Sequence, residues 1–221
     1  MPESISLPKI GDPAPDFTAV TTQSPSMKFS EWQGEDWVVL FSHPADFTPV
    51  CTTELMGFAK RHEEFRAIRT KLIGLSVDSI HSHLAWLQNM KDKMGVEIPY
   101  PLIADIDTKV SQLYGMIHPG ASATATVRAV FVIDPVRVVR AIVYYPLNAG
   151  RNIGEILRIV KALQTADTQS CATPVDWLPG DKVVVPPPKT VADISERLSH
   201  RDYDIRDFYL SLKELPQAKA Q

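Results

Sequence analysis

A cysteine, Cys51, stands where a proline-containing loop gives way to a helical pattern. Pro44 and Pro49 break regular structure ahead of it. Apolar residues recur at helical spacing from Thr52 to Ile68, which predicts that Cys51 lies at or just inside a helix N-terminus. Free backbone N–H groups and the helix dipole favour an anion there, so the thiol loses its proton more easily. Because the thiolate is the reactive form, Cys51 is either a nucleophile or a small buried side chain in the first helical turn.

The segments around this loop follow an α/β pattern. Trp37 to Phe41 is an apolar run typical of a buried strand, and it leads directly into the loop. Val127 to Ile133 and Val138 to Tyr144 are two further strands, joined by a link so short that they must pair antiparallel. The order strand, helix, strand, helix, strand, helix, hairpin, helix predicts a mixed sheet with helices on both faces.

The spacing of the histidines argues against a metal site. His81 and His83 lie two residues apart on a predicted helix, which places them on nearly opposite faces, so they cannot share one metal ion. His62 lies on the apolar face of the preceding helix, as a core histidine would. We therefore predict no metal site. The apolar face of the helix that carries His83 is predicted to hold Ile80, Leu84, Leu87 and Met94.

The character of the chain changes after about Ser170. Prolines at Pro174, Pro179 and 186–188 interrupt regular structure, and a modest helix is predicted from Val191 to Ser199. We therefore predict a main domain over residues 1–169 and a C-terminal arm or small dimerisation domain over residues 170–221. Such an arm must bury its apolar residues against another surface.

The cysteine loop also carries a family signature. Pro44, Thr48 and Cys51 stand as Pro-x-x-x-Thr-x-x-Cys, the active-site signature of the peroxiredoxins of the alkyl hydroperoxide reductase/thiol-specific antioxidant type. The longer run from His43 to Glu54 resembles the 1-Cys subgroup in particular. The resemblance implies a thioredoxin-like α/β fold and a thiol-dependent peroxidase. Such an enzyme would reduce hydrogen peroxide and alkyl hydroperoxides through a Cys51 sulfenic acid.

Three residues of the loop have chemistry that suits this activity. The Thr48 hydroxyl can accept from and donate to a peroxide beside the sulfur, and Pro44 can wall the pocket. His43 could hold the peroxide or shuttle a proton. Ordinary turn chemistry also explains Thr48 and Pro44, and the spacing to Cys51 is what favours the functional interpretation.

Only the resemblance indicates which residues place charge beside the thiolate. It implies that Arg128 lies next to the sulfur, and that Glu54 and Arg151 orient this arginine and add positive potential. Without the family, Arg128 is a surface arginine at a strand end. Glu54 is then a first-turn acid favoured by the helix dipole, and Arg151 is a surface residue.

The second cysteine does not match a resolving cysteine. Cys51 has Glu54 three positions on, so a Cys-x-x-Cys dithiol is excluded. Cys171 lies between Ser170 and Ala172, whereas two-cysteine peroxiredoxins typically carry a Val-Cys-Pro context. We expect a non-catalytic Cys171 and an external reductant, either glutathione, a thioredoxin-type protein or another small thiol.

Bulk properties limit the remaining classes. Hydrophobic residues make up 44 % of the 221 residues, enough for a sizeable core, and the net charge is −3 without a basic block. Nucleic acid and membrane are therefore not expected partners. Met1 to Asp12 show no secretory signal, and two cysteines fit a reducing compartment, so we expect a cytoplasmic protein.

We expect a homodimer or larger homo-oligomer and no metal, flavin or haem. The alternative is a redox-responsive oligomer that acts as a peroxide sensor or holdase chaperone.

Overall fold

The computed structural model describes residues 7–216. Residues 1–6 lie outside this range. They are half of the segment, Met1 to Asp12, in which the sequence predicts no secretory signal. The described chain forms two compact units, which part between Ile153 and Gly154. The division after residue 169 that the sequence suggests remains a prediction.

From Trp37 onward the first unit follows the predicted order of strands and helices, and two strands and a short helix precede it. Its strands are β1 (Thr18–Thr21), β2 (Ser24–Lys28), β3 (Trp37–Ser42), β4 (Thr70–Ser76), β5 (Leu102–Ala104), β6 (Arg128–Ile133) and β7 (Val139–Tyr145). Its helices are α1 (Phe29–Gln33), α2 (Pro49–Lys60), α3 (His62–Ala67), α4 (Ile80–Met94) and α5 (Lys109–Leu113). The strands form one sheet in the order β2-β1-β5-β4-β3-β6-β7. Because β3 is parallel to β4 and antiparallel to β6, the sheet is mixed, as predicted.

Two neighbouring interior strands, β3 and β6, form the platform for the cysteine loop. All of their residues are buried, and Leu40 lies opposite Phe131 in the ladder. Fully burying side chains of this size stabilises the fold by about 1.5–3 kcal/mol each. Since the strands are antiparallel, the last residue of β3, Ser42, and the first residue of β6, Arg128, lie at the same edge of the sheet.

The helix predicted from Thr52 to Ile68 is divided into α2 and α3. It starts early because Pro49, whose fixed φ suits the first helical position, begins α2. Arg61 separates the two helices with φ −107° and ψ 8°. The Arg61 guanidinium donates to both carboxylate oxygens of Glu64 at 2.7 and 2.9 Å, which holds the junction.

Helix α4 has the predicted ends but not the predicted apolar face. Ser79 accepts a hydrogen bond from the Ser82 amide, and Gly95 ends the helix at φ +66°, a conformation that favours glycine. However, Leu84 is 49 % and Met94 46 % exposed, so the predicted face is wrong. The residues that α4 buries are His83, Trp86 and Met90.

The second unit contains two helices and a small sheet. They are α6 (Ile153–Gln169), β8 (Val183–Val184), α7 (Val191–Ser199), β9 (Asp204–Asp207) and β10 (Leu210–Lys213). The strands pair antiparallel in the order β8-β10-β9. The predicted helix α7 is confirmed at both ends, and the Thr190–Asp193 capping box fixes its start. None of its residues is buried.

Between residues 7 and 216, the structure has no helix with both the length and the apolar character that a membrane span requires.

Candidate active site

Cys51 is the third residue of α2, as the loop pattern predicts. Thr48 is the N-cap in extended conformation, and its carbonyl accepts the Thr52 amide at 3.0 Å. The Cys51 side chain is fully buried. The sulfur therefore belongs to the helical turn whose amides favour an anion.

Arg128 brings a fixed positive charge to the sulfur. Its Nη1 lies 3.4 Å from the Cys51 Sγ and donates to Glu54 Oε2 at 2.6 Å. Its Nε and Nη2 donate to the Leu147 carbonyl at 3.1 and 2.7 Å. The side chain is only 3 % exposed, so the surface interpretation of Arg128 is wrong. A guanidinium in this position favours the thiolate over the thiol.

Glu54 and Arg151 form a bidentate pair behind Arg128. Arg151 donates from Nε to Oε1 at 2.9 Å and from Nη2 to Oε2 at 2.6 Å, and its amide adds a third bond at 2.9 Å. Its Nη1 donates to the carbonyls of Ser42 and Ala129 at 2.8 and 3.1 Å. Arg151 is therefore buried at the ends of β3 and β6, and its surface interpretation is also wrong.

The balance of charge in this group is positive. Burial alone would raise the pKa of Glu54, but the charge and hydrogen bonds of Arg151, with the charge of Arg128, hold this pKa below its usual value. Glu54 is therefore ionised at neutral pH. Two guanidinium charges against one carboxylate leave a net positive charge beside Cys51, which also favours a thiolate.

Thr48 and Phe47 belong to the loop that leads into α2. The Thr48 hydroxyl donates to the Ala45 carbonyl at 2.8 Å, so its lone pairs remain to accept a hydrogen bond. Phe47 has φ +54°, an uncommon conformation for a bulky residue, which costs about 1–2 kcal/mol. Residues in such strained conformations cluster at functional sites.

His43 is fully buried and belongs to a group that sequence reasoning did not find. Its Nε2 lies 3.0 Å from Asp46 Oδ1, and the other carboxylate oxygen of Asp46 lies 2.8 Å from the Nδ1 of His83. The Thr126 hydroxyl donates to the His43 carbonyl at 2.8 Å. The sequence does contain a signal for this buried face of α4. Trp86, a large apolar residue, lies three positions after His83, and residues i and i+3 share one side of a helix.

A sheet and helices of this kind, with a buried cysteine at a helix N-terminus beside an arginine, define a thioredoxin-like protein with a thiol site. Residues 10–142 match the AhpC/TSA family, and residues 162–199 match the C-terminal domain of 1-Cys peroxiredoxin. A peroxiredoxin of Aquifex aeolicus is 52 % identical, and the match covers 96 % of this chain and 100 % of the relative. A peroxiredoxin of Methanosarcina mazei is 49 % identical, and the match covers 94 % and 98 % of the two chains.

Solved structures agree with these relatives. A yeast mitochondrial 1-Cys peroxiredoxin superimposes with a TM-score of 0.84 at 39 % identity, over 94 % of this chain and 99 % of that chain. A cysteine-to-serine variant of peroxiredoxin 6 from Arenicola marina gives 0.85 at 35 % identity, over 95 % and 99 %. The chain belongs to the peroxiredoxin family, in its 1-Cys subgroup. It is a thiol-dependent peroxidase, and the predicted fold class and activity are confirmed.

Proposed function

We propose that Cys51 is the residue at which this enzyme reduces peroxides. Its thiolate attacks one oxygen of the peroxide, an S–O bond forms and the O–O bond breaks. The sulfur is oxidised to a sulfenic acid, and the other oxygen leaves as water or alcohol after it takes up a proton. The observation that carries this proposal is the 3.4 Å distance from the Arg128 Nη1 to the Cys51 sulfur, two groups that are both buried.

Arg128 and Thr48 are proposed to align the peroxide. The Arg128 guanidinium is held by Glu54 and Leu147, so it needs no reorganisation when charge develops on the peroxide oxygens. Thr48 uses its hydrogen on Ala45 and can therefore accept from a peroxide O–H. Pro44 is proposed to wall the pocket, while Glu54 and Arg151 keep Arg128 in place.

The burial of Cys51 supports a small substrate. A sulfur within a fully buried side chain is reached most easily by hydrogen peroxide and small alkyl hydroperoxides. The relatives reported above are named as peroxiredoxins, which does not favour the alternative of a sensor or holdase chaperone.

We also propose that an external thiol reduces the sulfenic acid. Cys171 lies in the second unit, where burial raises the pKa of its thiol despite the opposing charge of Lys213. A thiol with a raised pKa is a poor nucleophile at neutral pH. The yeast relative was solved in a study of thiol resolution via the glutathione and thioredoxin systems. Glutathione, a thioredoxin-type protein or another small thiol is therefore the proposed reductant.

Two further proposals concern assembly and compartment. Val191 is 82 %, Leu198 53 % and Tyr209 60 % exposed in the second unit. Apolar surface of this kind supports a homodimer or a larger homo-oligomer. Two cysteines, both free thiols, fit a reducing compartment such as the cytoplasm.

The test of the site is Cys51→Ser, because serine is nearly isosteric but far less nucleophilic. We expect the variant to consume no hydrogen peroxide with a thiol reductant, while its circular dichroism spectrum matches the wild type. Cys171→Ser is the matched control and should retain turnover. Retained turnover by Cys51→Ser would place the reaction at another residue.

A further inference from the structure

A cavity of about 330 Å³ opens in the first unit at the start of β4. Its inner wall is apolar and aromatic, because Leu72 and Tyr100 line it and are buried. Pro99 and Pro101, on either side of Tyr100, line it too, and α1 adds the indole of Trp32. Protein interiors are close-packed, so an unfilled space of this size beside buried aromatic side chains is suited to a small organic ligand.

Three basic side chains line the same cavity. Arg66 belongs to α3, Arg69 lies between α3 and β4, and Lys71 is the second residue of β4. One acid, Asp36, lines it as well, with its carboxylate 3.2 Å from the Arg69 Nε and 3.3 Å from the Lys71 Nζ. Three cations against one carboxylate give the lining a net positive charge, which attracts an anion.

Neighbouring groups leave this positive charge largely in place. His62 also lines the cavity, and burial lowers the pKa of its imidazole although Glu63 opposes the shift, so His62 is neutral at neutral pH. Glu63 lies 3.0 Å from Arg66 but is 78 % exposed. Glu35 lies 4.0 Å from Arg69 and is 92 % exposed. Pairs as exposed as these are weak, so an incoming anion can compete for both guanidiniums.

The two guanidiniums also keep donors for a ligand. A guanidinium carries five N–H groups in a planar fork. Within residues 7–216, Arg66 donates only from Nη1, to Glu63. Arg69 donates from Nε to Asp36 and from Nη2 to the Glu35 carbonyl. The remaining N–H groups suit the paired oxygens of a phosphate or a carboxylate.

The aromatic part of the wall is held in place before any ligand binds. The Lys71 Nζ donates to the carbonyls of Trp32 and Gln33 at 2.7 and 3.2 Å. The same ammonium lies 5.4 Å from the centre of the Trp32 ring. The Tyr100 hydroxyl donates to the Leu55 carbonyl at 2.8 Å. Rings fixed in this way lose little conformational freedom when a planar ligand packs on them.

We propose that this cavity binds a small aromatic anion, a planar ring that carries a phosphate or a carboxylate. The ring packs against Trp32 and Tyr100, and the anionic group pairs with Arg66 and Arg69. Apolar walls alone would accept any apolar molecule, and cations alone would accept any anion. Their combination in one cavity selects a ligand that has both an aromatic ring and a negative charge.

The cavity is separate from the peroxidase site. In the parallel ladder of β3 and β4, Thr70, which lines the cavity, lies opposite Trp37. Ser42, whose carbonyl accepts a hydrogen bond from Arg151 at the peroxidase site, ends β3 five residues later. Five residues of a strand span about 17 Å. The cavity therefore lies towards the opposite edge of the sheet, and the proposal adds a second site to the enzyme.

The first test uses the full-length wild-type protein with two probes, adenosine 5′-monophosphate for the phosphate and indole-3-acetate for the carboxylate. Calorimetric titration should show saturable binding of at least one probe with a Kd below about 1 mM, and the probe that binds identifies the anionic group. In ¹H–¹⁵N NMR spectra, the indole N–H signal of Trp32, assigned with Trp32→Phe, should shift. The signal of Trp86, which is buried and does not line the cavity, should stay in place.

Probes that lack one half of the ligand test the combination. Adenosine and 3-methylindole keep the ring without the anion, whereas ribose 5-phosphate and acetate keep the anion without the ring. Each should bind at least about tenfold more weakly than its complete counterpart, because it loses either the aromatic contact or the charge-assisted hydrogen bonds.

The second test replaces one of the two guanidiniums. Arg69 has φ +50°, a left-handed conformation that asparagine tolerates, so Arg69→Asn should fold. It should weaken binding by about tenfold or more, because a hydrogen bond to a charged group is lost. Arg137→Asn is the matched control, since Arg137 has φ +63°, is exposed and lies outside the cavity lining. It should bind the probe like the wild type, and both variants should keep the wild-type rate of reaction with hydrogen peroxide.

Three results would overturn the proposal: no saturable binding of either complete probe, equal binding of a probe that lacks the ring or the charge, or equal losses in Arg69→Asn and Arg137→Asn. If Arg69→Asn does not fold, the probe series and the Trp32 signal of the wild type still decide. None of these binding measurements depends on the reaction at Cys51, so the outcome is independent of the proposed peroxidase mechanism.

Discussion

Replacing Arg128 by methionine tests the electrostatic account of the site most directly. Methionine fills a similar volume but removes the charge and the donor 3.4 Å from the Cys51 sulfur. At that distance two unit charges attract by about 5 kcal/mol for an effective dielectric constant of about 20. Removing one donor aimed at developing charge typically costs about 3 kcal/mol. Since each 1.4 kcal/mol is about tenfold, peroxide reaction should slow between about one hundredfold and about three thousandfold.

The assay is stopped-flow tryptophan fluorescence of the reduced enzyme mixed with hydrogen peroxide. The second-order rate constant reports the oxidation step alone, without a contribution from the reductant. Arg66→Met is the matched control, because Arg66 is 63 % exposed, pairs with Glu63 and carries the same charge. Its rate constant should equal that of the wild type.

A folded Arg128→Met enzyme that reacts within tenfold of the wild-type rate would refute this reasoning. Far-ultraviolet circular dichroism and a denaturant midpoint establish whether it is folded, since Glu54 loses one of its two cationic partners. A large loss in Arg66→Met as well would show that net charge, rather than the position of Arg128, controls the rate.

Three further predictions follow from the buried group and the second cysteine. Arg151→Met should lower the free energy of unfolding by about 3–5 kcal/mol, because it leaves Glu54 partly unpaired in the interior, and should slow peroxide reaction less than Arg128→Met. Urea unfolding and stopped flow measure the two effects. A stability loss below about 1 kcal/mol, the value for an exposed pair, would contradict the first. The pKa of Glu54 is lower in the folded chain than its unfolded value of about 4.5, so ionised Glu54 stabilises the fold above about pH 4.5. This stabilisation is lost as the pH falls through the folded pKa. Glu54→Gln should flatten this acid limb of stability in urea titrations, and an unchanged slope would show that Glu54 is not its source. After one equivalent of hydrogen peroxide, dimedone should trap Cys51 sulfenic acid equally in wild type and Cys171→Ser, and a Cys51–Cys171 disulfide on a non-reducing gel would make the protein a two-cysteine enzyme.

Local patterns were enough to predict the elements that position Cys51. The apolar run of β3 and the short link between β6 and β7 depend on neighbours in the chain, and both are observed. Proline at the first position of α2 was also visible, although the apolar pattern placed the helix start three residues later, at Thr52 rather than Pro49. Periodicity does not mark the break at Arg61, because apolar residues continue on both sides of it.

Contacts between distant residues could not be predicted in the same way. Glu54 and Arg151 are 97 positions apart, and only the family resemblance suggested that they meet Arg128. His83 was missed because hydrophobicity favours leucine and methionine over histidine as core residues. Its burial is possible because Asp46, 37 positions earlier, gives its ring a hydrogen-bond partner. Such compensation between distant partners is not encoded in the pattern of one helix.

The complete burial of Cys51 sets different steric demands for the two halves of the catalytic cycle. Hydrogen peroxide is small enough to enter the closed site, but a tripeptide or protein thiol must bring its own sulfur within bonding distance of the Cys51 sulfur. That approach requires the first turn of α2 to open, and such local openings have free energies below that of global unfolding. We therefore expect the return half-cycle to depend on a conformational step. Loosening the first turn of α2 would speed regeneration, whereas a turn that stays closed leaves the sulfenic acid longer in a site that admits a second peroxide, the route to irreversible overoxidation.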